Sequence, residues 1–345
     1  MKFSIYLFLI VSGLSQVIDL TLQIPSASIS SFHQGFAIEW AGIKQFFMKK
    51  PSGVRSIDPE EATVDDLNLA AIQLVTNLAN LTPENSEKTK LLIRWWIPSA
   101  AGPWEPALTK VVPIGPYSLK LLDLVANVTG VKFSIGLSMR SNNITNNYQP
   151  EFLNAIKDII TPSNIQSFEL GNEPDLYAKN GFRSPSYTPQ EFFKENQGYI
   201  DFVKSSYPNA DFTGPSYAYP WDEIYLPQYI KTFAGQMSYF SFHHYELRGC
   251  ATNVTLEQLM LEPIDATAYK FYSAAVQALK ETGKPGKVIW NEGGTVSCSG
   301  EKGISDAFAA ALWTLDSGYL SALLEVNHQL LAGINKYIKL LILFQ

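Results

Sequence analysis

The sequence predicts an α/β fold, a parallel (β/α)8 TIM barrel. Two observations carry that prediction. Short apolar runs alternate with amphipathic stretches in seven successive strand–helix units, the rhythm of a parallel sheet. Two of those runs end in a carboxylate among turn-forming residues: Phe168-Glu169-Leu170-Gly171-Asn172-Glu173-Pro174 and Val288-Ile289-Trp290-Asn291-Glu292-Gly293-Gly294. In such a barrel, chemistry sits at the C-terminal mouths of the strands. A doubly wound sheet is the alternative. It would show a glycine-rich phosphate turn after its first strand, and Glu39-Trp40-Ala41-Gly42 is not one.

Taken in order, residues 35–40 read as the first strand. Residues 62–81, with Leu67, Leu69, Ile72, Leu74, Val75 and Leu78, follow as an amphipathic helix. Residues 90–96 are the second strand and 117–127 its helix; 131–139 are the third and 150–160 its helix. The fourth strand carries Phe168 and Leu170, and Pro174 ends its ladder. The next helix, 188–206, has Thr188 as cap and Pro189 at its first position. Residues 211–217 and 237–245 are strands five and six, and 265–282 is a helix ended by Gly283. Strand seven is 287–292, and its helix is 305–324 with Ser305 as cap.

Composition narrows the function classes. Hydrophobic residues are 46% and charged residues 17% of a 345-residue chain, which builds a core and is not disordered. Net charge is −6 with no large Lys/Arg cluster, so nucleic acid is excluded as a partner. The 17 Tyr and 7 Trp suit sugar stacking, but cores use the same rings. Residues 1–16 place Lys2 before a short apolar run and then small residues, the pattern of a secretory signal peptide cleaved near Ser15 or Gln16. A secreted, extracellular protein is expected, with no membrane association after cleavage. A buried first strand is the other reading of that run. Asn80, Asn127, Asn143 and Asn253 each head a glycosylation sequon. Cys250 and Cys298, the two cysteines, read as a disulfide in an oxidising compartment; two buried thiols are the alternative. A metal site would want a CxxC or a neighbouring His, and neither is present, so no metal and no cofactor are expected. The expected organisation is a leader at 1–16, a catalytic barrel at 17–325 and an atypical apolar tail at 326–345.

Two strand-end carboxylates are what glycoside hydrolysis requires: one protonates the leaving oxygen, the other attacks the sugar or activates water. The bland reading is two turns with solvated acids. Phe168-Glu169-Leu170-Gly171-Asn172-Glu173-Pro174-Asp175, Ser241-Phe242-His243-His244-Tyr245 and Asn291-Glu292-Gly293 together resemble the retaining glycosidases of clan A, and within it glycoside hydrolase family 79, the heparanase-like enzymes and fungal β-glucuronidases. The resemblance spans roughly residues 30–325 and is densest from 130 onward. It implies a secreted β-glucuronidase acting on glucuronide-containing glycans by double displacement, as a monomer. Glu173 is then the acid/base and Glu292 the nucleophile, with carboxyl groups about 5–5.5 Å apart. Burial and the second carboxylate favour the protonated form of Glu173. Asn172 falls where the family holds the sugar 2-OH, Tyr245 where a hydroxyl orients the nucleophile, and His243 is a candidate sugar contact.

Strand alternation sends His243 and His244 to opposite faces, so they are not a metal pair. Glu169 shares parity with Glu173 and should lie deeper in the barrel, with Arg94 as candidate partner. Two stretches depart from the family. Arg94-Trp95 runs into Trp96-Ile97-Pro98-Ser99-Ala100-Ala101-Gly102 rather than Gly-Gly-Asn, and residues 326–345 match neither the family's eighth strand nor its C-terminal β-sandwich. The reading is therefore a barrel incomplete at strand eight and without the sandwich, with exposed sheet edges and low stability. A clan A β-glycosidase of other specificity and an inactive, truncated member are the alternatives.

Overall fold

The computed structural model describes residues 2–11, 14–23, 34–39, 67–80, 90–94, 116–145, 149–218, 222–248, 253–261, 266–298 and 300–331. It divides into two units, Met1–Ser30 and Ser31–Gln345. The first is an antiparallel hairpin, β1 (Lys2–Val11) with β2 (Leu14–Gln23), paired from Lys2 opposite Gln23 to Val11 opposite Leu14. The stretch expected as a leader occupies β1 and the start of β2.

The second unit is the barrel. Its strands are β3 (Gln34–Glu39), β4 (Lys90–Arg94), β5 (Lys132–Leu137), β6 (Ile165–Leu170), β7 (Phe212–Tyr217), β8 (Tyr239–Leu247), β9 (Lys287–Val296) and β10 (Val326–Leu331). Each runs parallel to the next in chain order, and β10 pairs with both β9 and β3, closing the ring. This corrects the expected gap at strand eight. His328 sits opposite Trp290 on one side and Gln34 on the other. The strand was illegible because Asn327-His328-Gln329 breaks any apolar run, and pairing on both sides overrides so weak a local pattern. The edges of β3 and β9 are covered, so the motive for expecting low stability falls with the gap. Residues 332–345, where the rest of the atypical tail lies, are outside the described residues.

The described helices are α1 (Leu69–Asn80), α2 (Pro116–Thr129), α3 (Gln149–Ile159), α4 (Pro189–Ser206), α5 (Asp222–Phe233), α6 (Leu256–Leu261), α7 (Ala266–Thr282) and α8 (Phe308–Leu323). Thr188 caps α4 in a full capping box with Glu191, with Pro189 in the first turn, as its sequence signals. α5 and α6 were not expected. α5 carries Pro227 inside it, which argues against a helix, yet Leu226, Tyr229, Ile230 and Phe233 form a buried stripe at helical spacing that holds it. α8 begins at Phe308, not at Ser305. Ser305 instead sits in the preceding turn, where its Oγ accepts from Glu301 N–H at 3.0 Å and meets Thr295 Oγ1 at 3.0 Å.

The barrel lumen is layered. Ser134, Ser167 and Thr213 form a buried hydroxyl cluster, with Ser167 Oγ 2.6 Å from Ser134 Oγ and 2.7 Å from Thr213 Oγ1. Strand residues of the opposite parity, among them Phe133, Ile135, Phe168, Phe212, Phe240 and Trp290, are fully buried in the apolar core.

Candidate active site

The exit of β6 is shaped residue by residue. Gly171 has φ +80°, and a Cβ there would lie 2.8 Å from Tyr177 Oη and 3.3 Å from Met139 Sδ. Only glycine fits that turn. Asn172 N–H donates to Tyr177 Oη at 3.3 Å. Glu173 follows in the left-handed region, φ 50°, and its N–H donates to the Ser216 carbonyl at 3.0 Å. Asp175 is buried, and its carboxylate accepts from Ala218 N–H at 3.0 Å. These bonds fasten the mouth of β6 to the mouth of β7. The next loop is locked by Arg183. It pairs with Glu195 at 2.7 Å, donates to the Met139 and Arg140 carbonyls, and lies over the rings of Tyr177 and Tyr187. Burial raises the phenol pKa of both tyrosines well above its ordinary value.

β8 and β9 complete the site. His243 Nδ1 lies 3.0 Å from Glu173 Oε1 and 3.7 Å from Glu292 Oε2. Tyr245 Oη donates to Glu292 Oε1 at 2.9 Å. One oxygen of Glu173, one of Glu292 and a nitrogen of His243 all lie within 4.8 Å of one another. The structure therefore brings Glu173, Glu292, His243 and Tyr245 together, with Asn172 adjoining Glu173. His243 is only 2% exposed, and its Nδ1 is turned to the two carboxylates. His244 points the other way, as alternation predicts, with its ring 5.9 Å from Tyr272 and 5.3 Å from Trp290. Two carboxylates and an imidazole could also hold a divalent cation, but the chemistry of a carboxylate pair needs none.

Beneath the pair lies Glu169, 1% exposed. Its carboxylate accepts from Ser216 Oγ at 2.6 Å and Asn291 Nδ2 at 2.9 Å, and Ser216 Oγ also meets Ser241 Oγ at 2.9 Å. The side chain of Arg94 lies outside the described residues. Sequence reading missed Ser216 and Asn291. One signal for Ser216 was available: a Gly-Pro pair inside a strand marks an irregularity, and the register of β7 against β8 does shift between Pro215 and Tyr217. Cys298, two residues beyond β9, is disulfide-bonded; Cys250, the chain's other cysteine, lies outside the described residues.

No protein-family model matches the sequence, and no curated protein does. Solved structures do. A GH51 arabinofuranosidase from Xanthomonas axonopodis pv. citri aligns with TM-score 0.56 at 13% identity, over 89% of this chain and 67% of that one. A glucosidase from Croceicoccus marinus aligns with TM-score 0.52 at 14% identity, over 87% of this chain, which spans 60% of the glucosidase. PbGH5A, a glycoside hydrolase family 5 enzyme from Prevotella bryantii B14, aligns with TM-score 0.50 at 13% identity, over 90% and 92%. The likeness is one of fold: the chain shares the barrel of these glycoside hydrolases.

Proposed function

We propose that the protein is a retaining β-glycosidase. The observation that carries this is the approach of Glu173 and Glu292, on two strand mouths, to within 4.8 Å through their nearest oxygens. That spacing suits a nucleophile and an acid/base, and leaves little room for the water that an inverting pair admits. Glu292 attacks the anomeric carbon while Glu173 protonates the departing oxygen. A water, deprotonated by Glu173, then releases the sugar from Glu292. Tyr245 holds one Glu292 oxygen, leaving the other for attack. His243 orients Glu173 from below, and Asn172 reaches the sugar 2-OH.

The finer reading is β-glucuronidase specificity, supported by the family 79 motifs in the sequence. A β-glycosidase of other specificity is the competing reading, in keeping with the glucosidase among the structures of similar fold. Turnover of aryl β-glucuronide, β-glucoside and β-xyloside separates the two. Preference for the glucuronide is the expected result; a glucoside preference would overturn the finer reading, and no turnover of any would overturn the function. Secretion, with a Cys250–Cys298 bridge tying the loops after β8 and β9, belongs to the same proposal.

A further inference from the structure

Glu292 faces the lumen against the alternation of its own strand. Residues two apart on a strand share a face, so Glu292 should follow Trp290 outward. It does not, because β9 carries an irregularity. Phe242 pairs with Trp290 but His243 pairs with Glu292, and Asn291 is left without a partner residue across the ladder. Asn291 and Glu292 thereby both face inward, Asn291 to Glu169 and Glu292 to Tyr245.

We propose that Trp290 is the positioning residue that fixes this irregularity and, through it, Glu292; the proposal rests on the reading of Glu292 as nucleophile. Trp290 Nε1–H donates to the carbonyl of Glu292 itself at 2.8 Å. The indole folds back along its own strand over residue 293. A Cβ at Gly293 would stand 2.2 Å from Trp290 Nε1 and 2.6 Å from the His244 carbonyl, so the glycine is what admits the ring. Trp290 is fully buried, with its ring 5.3 Å from His244, 5.9 Å from Tyr272 and 5.9 Å from Trp313. Trp313 is itself anchored, its Nε1–H donating to Glu246 Oε2 at 2.9 Å. Helices α7 and α8 thus reach through these rings to the backbone that carries the nucleophile. This is an outer support that acts on Glu292 without touching substrate.

The test is Trp290→Phe in the full chain, which removes the N–H and keeps an aromatic ring, beside site-specific replacement of Trp290 by benzothienylalanine, which removes the N–H alone. Three readouts are taken: kcat and KM on the best aryl β-glycoside, the melting temperature, and crystal structures of wild type and variant. The expected result is kcat lowered about 10- to 100-fold with KM little changed, in protein that melts cooperatively, and a Glu292 carboxylate displaced from Tyr245. Benzothienylalanine should reproduce the kcat loss even where Phe unfolds the chain. Unchanged kcat in folded variant, or Glu292 in its wild-type position in the crystal, overturns the proposal. Wild-type protein without glycosidase activity would instead overturn the function, and the crystallographic comparison would still decide what Trp290 does.

Discussion

A methyl group added at Gly293 would put carbon 2.2 Å from an indole nitrogen, a separation that forces Trp290 to move. Gly293→Ala should cost roughly 1–3 kcal/mol by overpacking, read from denaturant melts, and a neutral result would show that the indole yields freely. The carboxylates give sharper outcomes. Glu292→Gln should abolish turnover. Glu173→Ala should spare aryl glycosides with good leaving groups and cripple those with poor ones, a split visible in kcat across a leaving-group series; equal losses across that series would remove Glu173 from the acid/base role. These two residues were legible in the sequence because a carboxylate set among Gly, Pro and Asn at the end of an apolar run announces a strand mouth. The residues that hold them were not. Trp290 reads as an ordinary outward core aromatic, and Ser216 and Asn291 owe their places to register shifts in β7 and β9 that no periodicity encodes. Glu169 was placed correctly in depth by parity alone, while its partners Ser216 and Asn291 came from strands too remote in sequence to foresee.

At the scale of elements, α2 decides the fate of one sequon. Asn127 lies inside that helix, bonded to Asp123 and Asn164, and Thr129 is buried with its hydroxyl on the Val125 carbonyl. Asn143 is exposed in a turn, its Oδ1 accepting from both Thr145 N–H and Thr145 Oγ1. On secretion, Asn143 should carry glycan in preference to Asn127; peptide mapping after glycosidase treatment tests this, and glycan on Asn127 with none on Asn143 would contradict it. The loop from β6 to α4 and the helix α5 make a second prediction. Burial raises the phenol pKa of Tyr177, Tyr187 and Tyr229. The folded chain then keeps protons that the unfolded chain releases near the ordinary value of about 10. Stability is fully present below that pH and falls as pH rises through it. Urea midpoints should decline steeply above about pH 10, less so in Tyr177→Phe; midpoints flat with pH would mean that these phenols are not desolvated. Long, periodic elements such as α4 were legible to within a residue or two. α5 was hidden by Pro227, and β10 by its polar centre.

For the whole molecule, the strand–helix rhythm was enough to predict a barrel, and its chain order fixed which mouths would face one another. Closure was not legible, because the eighth strand is defined by its neighbours β9 and β3 rather than by its own residues. The closed ring matters to function: it sets β6 across from β9 and so sets the distance between Glu173 and Glu292. The proposed retaining mechanism rests on that distance, and the configuration of the first sugar released tests it directly. Proton NMR of the early reaction on the preferred aryl β-glycoside, recorded before mutarotation, should show the β-anomer forming first. The α-anomer as first product would contradict the double displacement assigned to Glu292 and Glu173.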